Sequence, residues 1–269
     1  MKRTRIVTLN LWGEQPPLDA RLAQIVKELD RLAADVVLLQ EVRQVPGVVD
    51  NQAELLAQQL GYQAVFAEAT AWGGGVEGLA ILTRLPLVEQ LSVELPHAVP
   101  EERRRLLGAR LAHPSGAWAV YTTHLTYRLA DGHKRDDQLQ AALAAIPQLT
   151  CELPRVFGGD VNAVPDADEI RLLRGLRSPP GGDGKRVFWQ DAWERIHGSA
   201  PGLTWSSQNP HTERLRWLQR NRRIDYLFVE PMRRAGAGEV LDCQLCFVEP
   251  DANGVHASDH YGVMADVLL

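Results

Sequence analysis

The sequence predicts an α/β (α+β) fold in which two mixed β-sheets face each other and carry helices on their outer sides. Strand-like runs outnumber helical ones, several strands follow one another with no helix between them, and helical periodicity is confined to the early and middle parts of the chain. A doubly wound parallel sheet would instead need strands and helices in steady alternation.

Arg3 to Leu11 alternates polar and apolar residues and reads as a strand ending at Asn10. Leu18, Leu22, Ile25, Val26, Leu29 and Leu32 recur at helical spacing. Val36-Val37-Leu38-Leu39 is a continuous apolar run, the mark of a strand buried on both faces, and it ends abruptly in Gln40-Glu41. A second helix is expected from Asn51 to Leu60, stopped at Gly61, with a short strand at Ala64 to Ala67. Ala71 to Gly75 is a Trp-Gly-Gly-Gly loop, expected to be mobile or closely approached. Strands follow at about Gly78–Thr83, Leu87–Val93, Arg104–Ala112 and Trp118–His124, punctuated by prolines. Arg135 to Leu149 and Asp166 to Arg174 read as helices, and Ile224–Val229, Val240–Val248 and Gly262–Leu268 as strands. The Ser-Pro-Pro-Gly-Gly-Asp-Gly-Lys segment at 178–185 is the clearest loop, read as an insertion because composition does not change across it. A single domain spanning 1–269 is therefore expected.

Composition narrows the class. The 269 residues are 45% hydrophobic and 23% charged, ordinary for a globular protein, and allow a sizeable core. A net charge of -5 argues against a protein that coats nucleic acid non-specifically. The three cysteines, Cys151, Cys243 and Cys246, are too few for a disulfide framework. Cys243-Gln-Leu-Cys246 has the spacing of half a zinc site, but no second pair exists and a strand pair is the better reading. With no signal-like apolar segment and no run of membrane-spanning length, a cytoplasmic location is expected, as is a monomer without a membrane anchor.

Polar groups recur where strands end. Val156-Phe157 opens an apolar run cut off by Gly158-Gly159, after which Asp160 and Asn162 point to one side of an extended backbone. An Asx-rich turn would also explain that stretch. Asn10, Glu41, His124 and Ser258-Asp259-His260 also stand at strand ends, with Asp225 early in a strand and Glu77 just before one. Each alone has an ordinary explanation as a turn residue or a solvated carboxylate; their recurrence does not. This oxygen-rich set suits metal-assisted phosphoester hydrolysis, because magnesium takes oxygen ligands, keeps waters, and needs only one or two carboxylates. Glu41 is the best candidate anchor, with Asn10 and Asp259 nearby if the strand ends converge. No His-Glu-x-x-His, Gly-x-Ser-x-Gly or nucleotide-binding glycine loop occurs.

Taken in order, Thr8-Leu9-Asn10, Leu39-Gln40-Glu41-Val42, Glu77-Gly78-Leu79-Ala80-Ile81-Leu82-Thr83-Arg84, Thr123-His124-Leu125, Gly159-Asp160-Val161-Asn162-Ala163, Arg223-Ile224-Asp225-Tyr226 and Ser258-Asp259-His260 resemble the motifs of the endonuclease/exonuclease/phosphatase superfamily, the DNase-I-like fold. The resemblance spans essentially the whole chain and implies a four-layer sandwich of two mixed β-sheets flanked by helices. It implies that Glu41 and Asn10, with Asp259, hold a catalytic Mg²⁺ or Mn²⁺. It further implies that Asp160 orients or deprotonates the attacking water and that Asn162 holds phosphate and water. His260, oriented by Asp225, is implied to stabilise the transition state or act as base; which of Asp160 and His260 is the base stays open. His124 resembles a second phosphate-contacting histidine with Glu77 as its partner. Val161 stands where the family often has phenylalanine, a packing change away from the chemistry.

Substrate is less legible. Arg103-Arg104-Arg105 with Arg110, and Arg214, Arg216, Arg220, Arg222 and Arg223, form two basic clusters in which most members read as solvated. One or two of the second cluster could grip a phosphate. Trp72, Trp205 and Trp217 are available to stack on bases or to pack inside. A single-stranded or flipped nucleic acid would use both features, and so would a small phosphodiester. The expected activity is thus a Mg²⁺-dependent phosphodiesterase on nucleic acid or a nucleotide-like substrate. The alternatives are a phosphatase or sphingomyelinase-like enzyme on a metabolite or lipid headgroup, although no apolar membrane-contacting hairpin is evident, and, more remotely, a catalytically silent binding module.

Overall fold

The computed structural model describes residues 1–97, 101–179, 187–215 and 221–269; most of the 178–185 loop, Arg216, Trp217, Arg220 and the side chain of Arg214 lie outside them. β1 (Arg3–Asn10) and β2 (Val36–Gln44) are parallel neighbours joined by α1 (Leu18–Leu32). α2 (Gln52–Leu60) then leads into the hairpin of β3 (Gln63–Trp72) and β4 (Gly75–Thr83). The chain crosses to a second sheet through β5 (Leu87–Glu94), β6 (Arg105–His113) and β7 (Gly116–His124). α3 (Gly132–Ala145) returns it to β8 (Val156–Asp160), parallel to β7. α4 (Asp168–Leu173), β9 (Gln190–Asp191), α5 (Ala192–His197) and β10 (Asp225–Val229) complete that half. β11 (Glu239–Cys246) and β12 (Gly262–Leu268) go back to the first sheet. The strand orders are β11-β12-β1-β2-β4-β3 and β5-β6-β7-β8-β10-β9, so both sheets are mixed, as expected.

Side-chain alternation builds the layers. Ile6, Val36, Leu38 and Ile81 of the first sheet meet Leu107, Trp118, Val120 and Leu227 of the second in the central core. Val7, Leu9, Val37 and Leu39 face the other way and are covered by Ile25, Leu29 and Leu56 of α1 and α2. Tyr121 and Phe157 are likewise covered by Leu139 of α3 and Ile170 of α4. Helix ends follow local chemistry: Asn51 caps α2 by accepting from the Ala53 and Glu54 N–H groups, and Gly61 ends it in the left-handed region. Among the described residues no helix is long and apolar enough to cross a membrane.

Several elements depart from expectation. β2 does not end at Glu41 but continues to Gln44, because a bulge between Leu39 and Val42 absorbs Glu41 at φ +51°. The Trp-Gly-Gly-Gly segment is the tight turn of the β3–β4 hairpin, with Trp72 opposite Gly75. The third helix starts at Gly132 and gives way to a 3-10 turn at Ile146–Gln148, where Pro147 cannot continue it. Arg104 is not solvated: it is buried against Glu102, and Arg223 pairs with Asp191 in the interior, while Arg110 pairs with Glu89 at the surface. Cys243 and Cys246 are free and buried.

Candidate active site

The topology brings the polar strand ends together. β1 and β2 of one sheet and β7 and β8 of the other run the same way within each pair; Asn10, His124 and Asp160 are the last residues of β1, β7 and β8, and the bulge in β2 presents Glu41 beside Asn10. β12 runs antiparallel to β1, so Asp259 and His260, just before it, arrive at that same edge. β10 runs antiparallel to β8, placing Asp225 directly opposite Asp160. Beneath them, Gln40 donates to Thr8 Oγ1 at 3.1 Å and to Thr122 Oγ1 at 2.9 Å, tying the sheets together at this end of the core.

These residues surround a cavity of about 350 Å³, lined by Glu41, Glu77, His124, Asp160, Asn162, Asp259 and His260, with Trp12, Arg104, Tyr127 and Trp205 among the remaining walls. The Gly158-Gly159 pair explains how Asp160 gets there. Gly159 adopts φ +130°, and a Cβ on it would lie 2.1 Å from the Thr123 carbonyl oxygen. Only glycine lets β8 approach β7 this closely before turning into Asp160.

Asp225 Oδ2 accepts the His260 Nδ1–H at 2.9 Å, which leaves Nε2 facing Asp160 Oδ2 at 3.8 Å. His124 Nε2 lies 3.5 Å from the same oxygen. Thr204 Oγ1 accepts the N–H groups of Ile224 and Asp225, its carbonyl accepts the Tyr261 N–H, and Trp205 packs edge-on to the His260 ring at 4.9 Å. The Asp225–His260 pair is thus held from both backbones. Asp160 Oδ1 accepts the Asn162 N–H at 2.9 Å, while the Asn162 side chain donates to the Leu125 carbonyl with its backbone at φ +54°.

Burial and charge set the protonation of the group. Burial, then the nearby charge of Asp225, pushes the Asp160 carboxyl up to about 7. Burial and the charge of Glu41 bring Glu77 to about 7. Asp259 also rises to about 7, mainly by burial, with His260 opposing and Glu41 adding. Burial disfavours the His260 imidazolium, but the charge and hydrogen bond of Asp225, with Asp160 and Asp259, outweigh it and hold its pKa well above the ordinary value. His124 goes the other way: burial, then Arg104 and His260, keeps it neutral.

Oxygen donors crowd one side of the cavity. Glu41 accepts from Asn10 Nδ2 at 2.9 Å, and Asp259 Oδ1 lies 3.3 Å from Ser258 Oγ, whose hydroxyl donates to the Asn10 carbonyl at 2.6 Å. Asp259 and Glu77, raised to about 7 mainly by burial, fit a hard divalent cation, which would supply countercharge there. Asn10 Oδ1 accepts the Trp12 N–H at 3.0 Å, and its Nδ2 donates to Glu41 at 2.9 Å and to Asp160 at 3.1 Å, so its amide N–H groups hold both carboxylates in place. Among the described residues, Asp160, Asp225 and His260 bring three ligand atoms within 4.8 Å of one another. There His260 Nδ1 is committed to Asp225, so this cluster suits proton handling more than metal binding.

Glu77 shares the cavity, but His124 faces Asp160 rather than Glu77, the partner the resemblance implies. Trp12 and Tyr127 escaped the sequence reading, and Arg104 was named there only within a basic cluster read mostly as solvated. Trp12 stands two positions after Asn10, a spacing that could have flagged it. Nothing in an arginine triplet distinguishes the buried Arg104 from its exposed or half-buried neighbours.

Comparison with curated proteins finds no match. Among solved structures, D. rerio TDP2 complexed with a single-strand DNA product superposes with a TM-score of 0.78 at 21% identity, covering 100% of both chains. An endonuclease/exonuclease/phosphatase from Bacteroides vulgatus gives 0.75 at 16% identity, again over 100% of both. One from Beutenbergia cavernae gives 0.73 at 23% identity, covering 100% of this chain and 72% of that one. These likenesses show a shared DNase-I-like fold. The sequence itself matches the Endonuclease/Exonuclease/phosphatase family over residues 7–260, and the chain belongs to that family.

Proposed function

We propose that the chain is one domain, 1–269, acting as a divalent-metal-dependent phosphodiesterase on a nucleic-acid end or a nucleotide-like phosphodiester. The observation that carries this reading is the meeting of the Asp225–His260 pair, Asp160 and an oxygen-rich corner of Glu41, Glu77 and Asp259 around one cavity. Family membership supports phosphoester hydrolysis, and the single-strand DNA product held by the D. rerio protein supports a nucleic-acid substrate.

Glu41 and Asp259 would hold Mg²⁺ or Mn²⁺, with Asn10 orienting Glu41 through its amide N–H. Once bound, that ion supplies a Lewis acid that polarises the phosphoryl oxygen. His260, kept as imidazolium by Asp225, donates Nε2–H to the phosphoryl oxygen as negative charge builds there. Asp160, with a pKa near neutrality and its Oδ1 fixed by the Asn162 N–H, accepts the proton of the attacking water at Oδ2 as the new P–O bond forms and the P–O bond to the leaving group breaks, the leaving oxygen departing with its electron pair. The neutral His124, 3.5 Å from that oxygen, donates to a non-bridging phosphate oxygen, and Asn162 orients phosphate and water. Trp12, Tyr127 and Trp205 give the cavity aromatic walls on which a base or aromatic leaving group can stack.

The test is a substrate panel under saturating Mg²⁺: single-stranded DNA, duplex DNA, RNA, inositol phosphates and sphingomyelin. Preference for a nucleic acid supports the reading. Turnover restricted to inositol phosphates or sphingomyelin would overturn the substrate class while leaving the hydrolytic chemistry in place.

A further inference from the structure

Arg21, in the first turn of α1, is fully buried yet forms no ion pair with any of the described residues. Its guanidinium is spent on backbone carbonyls: Nε donates to Gln15 at 2.9 Å, Nη1 to Leu11 at 2.7 Å and Ala257 at 3.1 Å, and Nη2 to Gly13 at 2.9 Å and Trp12 at 3.5 Å. It also lies 5.1 Å from the Trp12 ring centroid. Burial lowers its pKa only to about 10, with Asp259 and Glu41 opposing the fall, so it stays charged near neutrality. A buried charge without a carboxylate partner is costly, and natural chains retain one where its geometry matters.

The carbonyls it gathers belong to two separate loops. Residues 11–15 leave β1 just after Asn10; Ala257 precedes Ser258, Asp259 and His260. In the first loop Trp12 sits at φ +59°, unusual for a bulky residue, and from there its N–H reaches Asn10 Oδ1. That bond turns the Asn10 amide so that Nδ2 faces Glu41 and Asp160. In the second loop the Ser258 hydroxyl donates to the Asn10 carbonyl at 2.6 Å. We propose that Arg21 is the positioning residue of the metal corner: its planar fork locks the 11–15 loop to Ala257 and thereby sets Glu41 and Asp259 against each other.

The inference rests on the proposed metal-binding reading, and a binding measurement separates the two. Lysine at position 21 keeps the charge, but a single ammonium cannot span both loops. In calorimetric titrations of the whole chain with Mn²⁺ at low temperature, Arg21→Lys and Arg21→Gln should each weaken binding by about ten- to a hundredfold, the usual effect of disturbing groups that orient metal ligands. Leu32→Ala, which empties a core site at the far end of the same helix, should lower the thermal midpoint yet bind Mn²⁺ as the wild type does. Wild-type affinity in both Arg21 variants, or equal weakening in Leu32→Ala, would overturn the assignment. A wild type that binds no Mn²⁺ would overturn the metal reading beneath it. Hydrogen exchange on the wild type gives an answer even if the Arg21 variants fail to fold. Mn²⁺ should slow exchange in residues 11–15 and 256–259 together, and protection of only one loop would contradict the coupling.

Discussion

Asp225→Asn is the sharpest perturbation of the proposed chemistry. Asn is the same shape, so its oxygen can still accept the His260 Nδ1–H at about the 2.9 Å seen for Asp225, but the negative charge is gone. A hydrogen bond to a charged group contributes about 1.5–3 kcal/mol and a neutral one about 0.5–1.5, so the imidazolium loses about 1–1.5 kcal/mol. At 1.36 kcal/mol per unit that lowers the His260 pKa by about one unit. Because the wild-type value is raised, the stability it contributes is fully present below the unfolded pKa of 6.5 and is lost as pH rises through the folded value. In the variant that loss comes at lower pH. The assay is the pH profile of kcat on bis(p-nitrophenyl) phosphate at saturating Mg²⁺. The alkaline limb should move about one unit towards acid, with the plateau rate falling about tenfold or more. An unmoved limb, or one displaced to higher pH, would refute His260 as the imidazolium.

Glu41→Gln should raise the Mg²⁺ concentration for half-maximal activity by at least about tenfold, and an unchanged titration would remove Glu41 as anchor. In metal-free protein, Glu77, Asp160 and Asp259 keep protons up to about 7 that the unfolded chain releases near 4, so stability falls as pH rises through that window. Mg²⁺ replaces those protons, so its gain in thermal midpoint should be larger at about pH 8 than at about pH 5.5; the reverse order in differential scanning fluorimetry would contradict the donor set. Gly159→Ala, forced against the Thr123 carbonyl at φ +130°, should cost on the order of 3–5 kcal/mol or prevent folding. Gly61→Ala, with open space around it, should cost only about 1 kcal/mol, and similar denaturation midpoints for the two would refute the close-approach argument.

Much of this was legible in the sequence because it obeys local rules. The Val36–Leu39 run is fully buried, Asn51 and Gly61 cap their helix, and Cys243 and Cys246 lie in a strand. What was not legible depends on partners distant in sequence. Glu41 sits in a bulge whose left-handed φ leaves no mark on the alternation of apolar residues. β9 has two residues and α5 six, too short to show a period. Asn10 was identified correctly as part of the polar edge, but the orientation of its amide follows from the Trp12 N–H, which only the folded loop supplies. The burial of Arg104 and Arg223 follows from Glu102 and Asp191, and the role of Arg21 from carbonyls that no residue identity encodes.

Hydrolysis of bis(p-nitrophenyl) phosphate by the wild type and Asp160→Ala, with Mg²⁺ and with a chelator, tests the central claim most directly. Turnover by the wild type should depend on Mg²⁺ and return when the metal is restored, and a folded Asp160→Ala should lose most of it. Wild-type turnover undiminished by chelation, or an Asp160→Ala variant as fast as the wild type, would contradict it.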